Sequence, residues 1–281
     1  MQIKNKHLLS MLAVAGMTLF ASRAGATTFL AGDLLLSFRA SGGTGSDKNV
    51  VVNLGQADTV YRDATSNLTN IADIGSLLTT NYGSNWFNRA DLFWGVAGVA
   101  QTDQFASPID GDPTRTNYLS RAQTSYNPGV KTSTAWSVAG STSRANIANN
   151  ITTFAGNFDA FSNAVTNTAV LDATAGGSWN SFNNGSSTFG GVSGTIEGNF
   201  ASGTGATALD LYRILNSTSG AVPSGLVGVG SWEGSFTIND SGQVGFAVAV
   251  AAIPEPSRAL LAGLGLGGIA FRRRRAVKKI A

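Results

Sequence analysis

Apolar positions along the chain fall into short, separate groups, most of them spaced as strands. Asp33–Ala40, DLLLSFRA, and Asn49–Leu54, NVVVNL, are apolar and rich in branched residues, with the Gly/Ser turn SGGTGSDK between them. The two runs predict a strand pair. Leu92–Val99, LFWGVAGV, has the continuous apolar run of a buried strand, and Ala208–Leu215 predicts another. Near the end, Trp232, Phe236 and Ile238 alternate before Asn239-Asp240-Ser241-Gly242, and Val244, Phe246 and Val248 alternate after it. That pattern predicts a hairpin with both sets on one sheet face.

Two stretches have helical spacing instead. Ile147, Ile151, Phe154, Phe158 and Phe161 recur at 4, 3, 4, 3 and predict a helix over Arg144–Phe161, capped by Ser141 or Ser143. Ile71, Ile74, Leu77 and Leu78 predict a shorter helix that Gly83 stops. Asn127-Pro128-Gly129 marks a turn, Ala100–Pro113 a polar loop, and the Gly/Ser/Asn-rich Ala175–Ser193 a long loop. The sum is a β-rich single domain over 27–252, a sandwich-like sheet with inserted helices, with an α+β arrangement left open.

Two further apolar runs lie outside this body, and charge changes how they are understood. Met1–His7 is basic, Leu8–Ala21 is an apolar run of 14 residues, and Ala24-Gly25-Ala26 offers a small-x-small cleavage pattern. Residues 1–26 therefore predict a secretory signal peptide cut after Ala26 by signal peptidase, following export through Sec-type machinery. At the other end stand Ile253-Pro254-Glu255-Pro256-Ser257, then the uncharged Ala259–Phe271, then Arg272, Arg273, Arg274 and Arg275. Thirteen residues make a helix of about 20 Å against a hydrocarbon core of about 30 Å, a marginal transmembrane span. The arginines predict a stop that stays cytoplasmic, with the body outside. Pro254 and Pro256 hold Ile253 and Glu255 extended, a strip that a processing enzyme can grip. The alternative is a simple tail anchor.

The chain's positive charge resides in these ends, and the net of +3 is what remains after an acidic body. The body has 9 basic and 15 acidic residues, so nucleic acid is not an expected partner. The chain has no cysteine, and its one histidine, His7, lies in the signal segment. Cysteine nucleophiles, Ser-His-Asp triads, disulfides, and zinc or iron–sulfur sites on His or Cys are thereby excluded from the body, and no cofactor is expected.

Pro254-Glu255-Pro256, a short apolar helix and an arginine cluster together resemble the PEP-CTERM sorting signal of Gram-negative bacteria. The resemblance covers 253–275 and assigns 253–281 to a sorting domain, with the membrane helix at 259–271 and the basic stop at 272–275. It implies an exosortase as processing partner and transient membrane anchoring. It also implies a final location at the cell surface or in the extracellular matrix, where exopolysaccharide is a further partner. It implies no activity for the body.

Candidate chemistry in the body is sparse. Asp103, Asp110 and Asp112 share one loop with Gly111 and are weak calcium candidates, although EF-hand spacing is missing and solvated loop acids are the simpler expectation. Glu197 and Glu233 are the body's two glutamates and would have to meet in a cleft to hydrolyse a glycosidic bond. Among the tryptophans, Trp94 and Trp232 sit in core-like alternation, while Trp179 and Trp136 are the candidates for stacking on sugar rings. The expectation is a non-enzymatic exported protein with a structural or adhesive body. A secreted carbohydrate-binding module or hydrolase with the same tail is the alternative.

Overall fold

The computed structural model describes residues 28–100, 112–136, 141–163, 165–183, 187–189, 192–200, 208–215 and 230–249. Residues 1–26, expected as a signal segment, residues 253–281, expected as a sorting tail, and the loop carrying Asp103 and Asp110 lie outside the described residues.

The body is β-rich, as its alternation predicts. In chain order the strands are β1 (Asp33–Ala40), β2 (Lys48–Gln56), β3 (Leu68–Asp73), β4 (Leu92–Val99), β5 (Asn117–Ala122) and β6 (Thr168–Asp172). The short pairs β7 (Ser187–Thr188), β8 (Val192–Ser193) and β9 (Gly198–Asn199) precede β10 (Ala208–Ile214), β11 (Ser231–Ile238) and β12 (Gln243–Ala247). The helices are α1 (Gly75–Tyr82), α2 (Ser141–Phe161) and α3 (Trp179–Phe182), and a single π-helical turn spans Ala57–Tyr61.

The strands do not divide into two stacked sheets as a sandwich would. One antiparallel sheet runs β3-β12-β11-β10-β5-β4-β1-β2-β6, with β9 pairing the first part of β4 where β5 does not reach. This sheet curls, so one face closes on itself. Leu34, Leu36, Phe38 and Ala40 of β1 share that inner core with Leu209, Leu211, Phe236, Ile238, Val244 and Phe246 from the far strands. Tyr61 fills the middle, 5.2 Å from Phe236 and 5.1 Å from Phe246 between ring centres. Its hydroxyl reaches the Leu54 carbonyl at 2.8 Å.

The outer face is covered by α2. Ile147, Ile151, Phe154 and Phe158 are buried against Leu35, Val51, Ala97 and Val99. A strand between two cores must be apolar on both sides, which is why LLLSF in β1 is a run and not an alternation. Phe161, the last member of the predicted stripe, is 67% exposed because the helix ends there, and Ser143 lies inside the first turn of α2.

Three local expectations shift. Ile71 belongs to β3, and α1 starts only at Gly75, where the backbone passes so close to Ser241 that a Cβ would lie 2.0 Å from its carbonyl oxygen. Gly83 does end the helix, at φ 91°. The 175–193 segment holds α3 and the β7–β8 pair.

Trp232 leaves the face of Phe236. Leu211 pairs Gly234, but the next residue, Tyr212, pairs Trp232, so Glu233 is the extra residue of a β-bulge. One extra residue reverses the parity of everything before it.

Candidate functional site

The bulge brings several titratable groups together. With Trp232 turned to the outer face, Glu233 turns inward toward Arg213, Asp63 and Asp112. Arg213 follows Tyr212, an outer-core residue, so alternation places it on the inner face at the rim of the curl. Asp112 is fully buried there. One carboxylate oxygen lies 2.8 Å from Arg62 Nη1 and 3.5 Å from Arg213 Nε, and the other accepts from the Tyr118 hydroxyl at 2.5 Å. Arg62, just after the π-helical turn, also pairs the exposed Asp63 at 3.3 Å.

Burial raises the Tyr118 hydroxyl far above the usual tyrosine range, and the neighbouring Asp112 carboxylate adds to it. Burial likewise raises the Glu233 carboxyl, to about 7, with Arg213 pulling the other way. Glu233 Oε1 is buried without a hydrogen-bond partner. The group can take up or release a proton near neutrality. Asp112, its neighbour, is committed to two guanidiniums and a phenol.

Glu197 is not brought to Glu233. It stands beside β9 on the outer face, where Arg39 Nε and Nη2 donate to its two oxygens at 2.7 and 2.6 Å. Trp179 Nε1 donates to the same carboxylate at 2.7 Å. The bidentate pair clamps β1 to the segment before β9. A glycosidase pair from these two glutamates is overturned by their opposite faces.

The tryptophan candidates for sugar stacking are also buried. Trp179 is 0% exposed, wedged between Phe154 and Phe189. Its ring lies so close to β4 that a Cβ on Gly95 would sit 2.8 Å from it. Trp136 is buried under the Arg121 guanidinium, 4.3 Å above the ring, and donates to the Ser120 carbonyl. Asp112 is no solvated loop acid, and among the described residues no three acidic or histidine side chains gather as a metal site.

Sequence reasoning missed Asp210. It is 0% exposed in the middle of β10. One of its oxygens accepts from Gln123 Nε2, Ser235 Oγ and Trp232 Nε1, the other from Ser133 Oγ and the backbone N–H groups of Thr132 and Ser133. The signal was available: an Asp amid ALDLYRI is a charge where the strand pattern allows none unless it is fully paired.

Among the described residues a groove of about 350 Å³ runs along β3 and β12. Tyr126, 56% exposed, and the amides of Asn70, Asn239 and Gln243 line it. No helix among the described residues is long and apolar enough to cross a membrane. Ala24, Ala26, Pro254, Glu255, Pro256, 259–271 and Arg272–Arg275 lie outside the described residues. No family model, curated protein or solved structure matches the chain.

Proposed function

We propose that this chain is an exported surface or extracellular-matrix protein, routed by its two ends, with a structural or adhesive body. One observation carries the proposal: Pro254-Glu255-Pro256 stands immediately before a 13-residue apolar run and four arginines. In this reading signal peptidase releases the mature N-terminus at Thr27. The 259–271 helix pauses in the membrane with Arg272–Arg275 inside, and an exosortase-type enzyme then cuts near the Pro-Glu-Pro strip. The build of the body supports a structural role, since Glu197, Asp210 and Asp112 tie strands and loops together.

The test separates sorting from plain anchoring. Replacing Pro254, Glu255 and Pro256 together by Ala leaves the helix and its charges intact. The sorting reading expects an uncut precursor held in the membrane fraction. A triple-Ala protein that matures and reaches the surface like wild type overturns it.

A second reading, a carbohydrate-binding body on the same tail, is favoured by the Tyr126 groove. An exposed ring beside several amides is the equipment for holding a neutral sugar. Tyr126→Ala should abolish retention of the protein on the exopolysaccharide of the producing cells, and unchanged retention rejects this reading.

A further inference from the structure

The strand ladders set both ends of the body at one rim of the sheet. Asp33, where β1 begins, pairs Gln56, where β2 ends. Leu34 pairs Gly98, Val99 and Ile214 both pair Asn117, and Arg213 pairs Ser231. Alternating strand directions then bring the end of β12, at Ala247, and the start of β3, at Leu68, to that same rim. The chain thus enters the body beside Leu30 and leaves it beside Val248 on one side of the molecule.

This rim carries an apolar patch. Leu30, Val60, Phe161 and Val165 are exposed there, Val165 to 91%. Hydrogen bonds hold the pieces together. Asp33 Oδ2 accepts from the Leu30 N–H at 2.9 Å and from Asn53 Nδ2 at 2.7 Å. The Asn53 N–H donates to the Asn167 carbonyl at 2.9 Å, two residues past Val165. The Phe29 N–H donates to Asp159 Oδ1 at 2.6 Å, two residues before Phe161. Ala57, which opens the π-helical turn holding Val60, donates to the Gly32 carbonyl at 2.7 Å. The lysines among the described residues, Lys48 and Lys131, lie toward the opposite rim, and Asp63, three residues after Val60, is an exposed acid. Such a patch binds through its apolar side chains and not through attraction to anionic lipid.

Residues 250–258 separate the described body from the Ala259–Phe271 run, and residues 22–29 separate the Leu8–Ala21 run from Leu30. Chains of eight or nine residues reach at most about 30 Å. With either run in a bilayer, this rim is therefore held against the membrane at a high effective concentration. We propose that the rim is the membrane-facing surface of the tethered precursor, with Leu30, Phe161 and Val165 seated in the headgroup boundary of the bilayer. The proposal rests on the reading of the two ends as membrane segments and adds a contact made by the body itself. Docking the rim keeps the Pro254-Glu255-Pro256 strip at the bilayer surface, within reach of a membrane-embedded processing enzyme.

The chain has no cysteine, so one introduced cysteine can carry a polarity-sensitive dye. The full chain is reconstituted in phosphatidylcholine vesicles whose lipids bear quenchers just below the headgroups. The dye on Val165→Cys should be quenched at least about twofold more than on Tyr126→Cys at the opposite rim, as befits a side chain seated about 5–10 Å into the boundary. Raised salt should leave that difference in place. Adding Leu30→Ser and Phe161→Ser, both at exposed positions, should bring the Val165→Cys signal down to that of Tyr126→Cys. A dye on Leu264→Cys, inside the tail run, separates the two readings. Quenching at 264 with none at 165 overturns the membrane face and leaves the tail anchor standing. Quenching at 165 with none at 264 supports the face and removes the anchor, and quenching at neither overturns both. Equal quenching at 165 and 126 overturns the face as well. Self-quenching between labelled copies at 165, in place of quenching by lipid, makes the patch a contact between two copies and overturns the proposal.

Discussion

Asp210 is held inside a strand by six hydrogen bonds to its two oxygens, drawing on β11 and on both ends of the 123–133 loop. Asp210→Ala removes all six bonds at once. Urea unfolding should report a loss of about 3 kcal/mol or more, the usual cost of breaking a buried charged network. Asp210→Asn keeps the shape but sets an NH₂ against donors, and should lose less than the alanine variant. Glu233 is the opposite case, a buried carboxyl with an unpartnered oxygen, raised by burial from 4.5 to about 7. An acid raised in the folded state makes folding most favourable where it is protonated. Its contribution is complete below about 4.5 and is lost as pH climbs through about 7. Wild type should therefore lose on the order of 2 kcal/mol between pH 4.5 and 8 through this group, allowing for its partial exposure. Glu233→Gln should flatten the pH dependence of Tm and melt higher than wild type at pH 8. An unchanged slope would remove Glu233 from the account.

At the scale of elements, the β11 bulge decides which side chains meet. Gly234 has φ 150°, and a Cβ there would come within 2.5 Å of the Phe246 ring and 2.7 Å of the Ala247 carbonyl. Gly234→Val should cost about 2 kcal/mol or more by denaturant unfolding. It should also quench the near-ultraviolet signal of Trp232, whose indole loses its hold on Asp210. In α2, Phe158→Ala should cost about 3–5 kcal/mol and Phe161→Ser close to nothing, since the first ring is buried and the second exposed. Sequence alone reveals these elements where periodicity is uninterrupted. β1, β4, β10 and α2 are visible in their apolar spacing, and the Asn127-Pro128-Gly129 turn in its chemistry, with Gly129 at φ 83° and Val130 donating back to Asn127. The bulge is hidden because a single inserted residue leaves alternation intact on either side and changes only the phase. Ile71 misleads for a related reason. A short strand followed directly by a short helix offers apolar residues at spacings that suit either, and the sheet partner of β3 decides.

For the whole molecule, what the sequence conceals is pairing at a distance. Nothing local in DLLLSFRA says that its neighbours are β2 and β4, or that Glu197 reaches back to Arg39 across 158 positions. Trp179 looks like a loop residue with a surface role because its Gly/Asn-rich surroundings say nothing of Phe154 and Phe189. Trp179→Phe should keep the ring packing and lose the bond to Glu197, lowering stability by about 1–2 kcal/mol in denaturant unfolding. The same long reach governs how the sheet is finished. Among the described residues β3 has a single neighbour, β12, and Val248 beyond it donates to Asn67 from 181 positions away. A chain that emerges N-terminus first holds residues 68–73 with no strand to join until nearly the whole body has been released. Closing so long a loop is slow, and sheets of such high contact order fold in milliseconds to seconds. The final pairing event falls only a few residues before Ile253. Completion of the sheet is thus timed by the arrival of the C-terminal end of the body: β3 finds its partner only when the segment that precedes Ile253 is available.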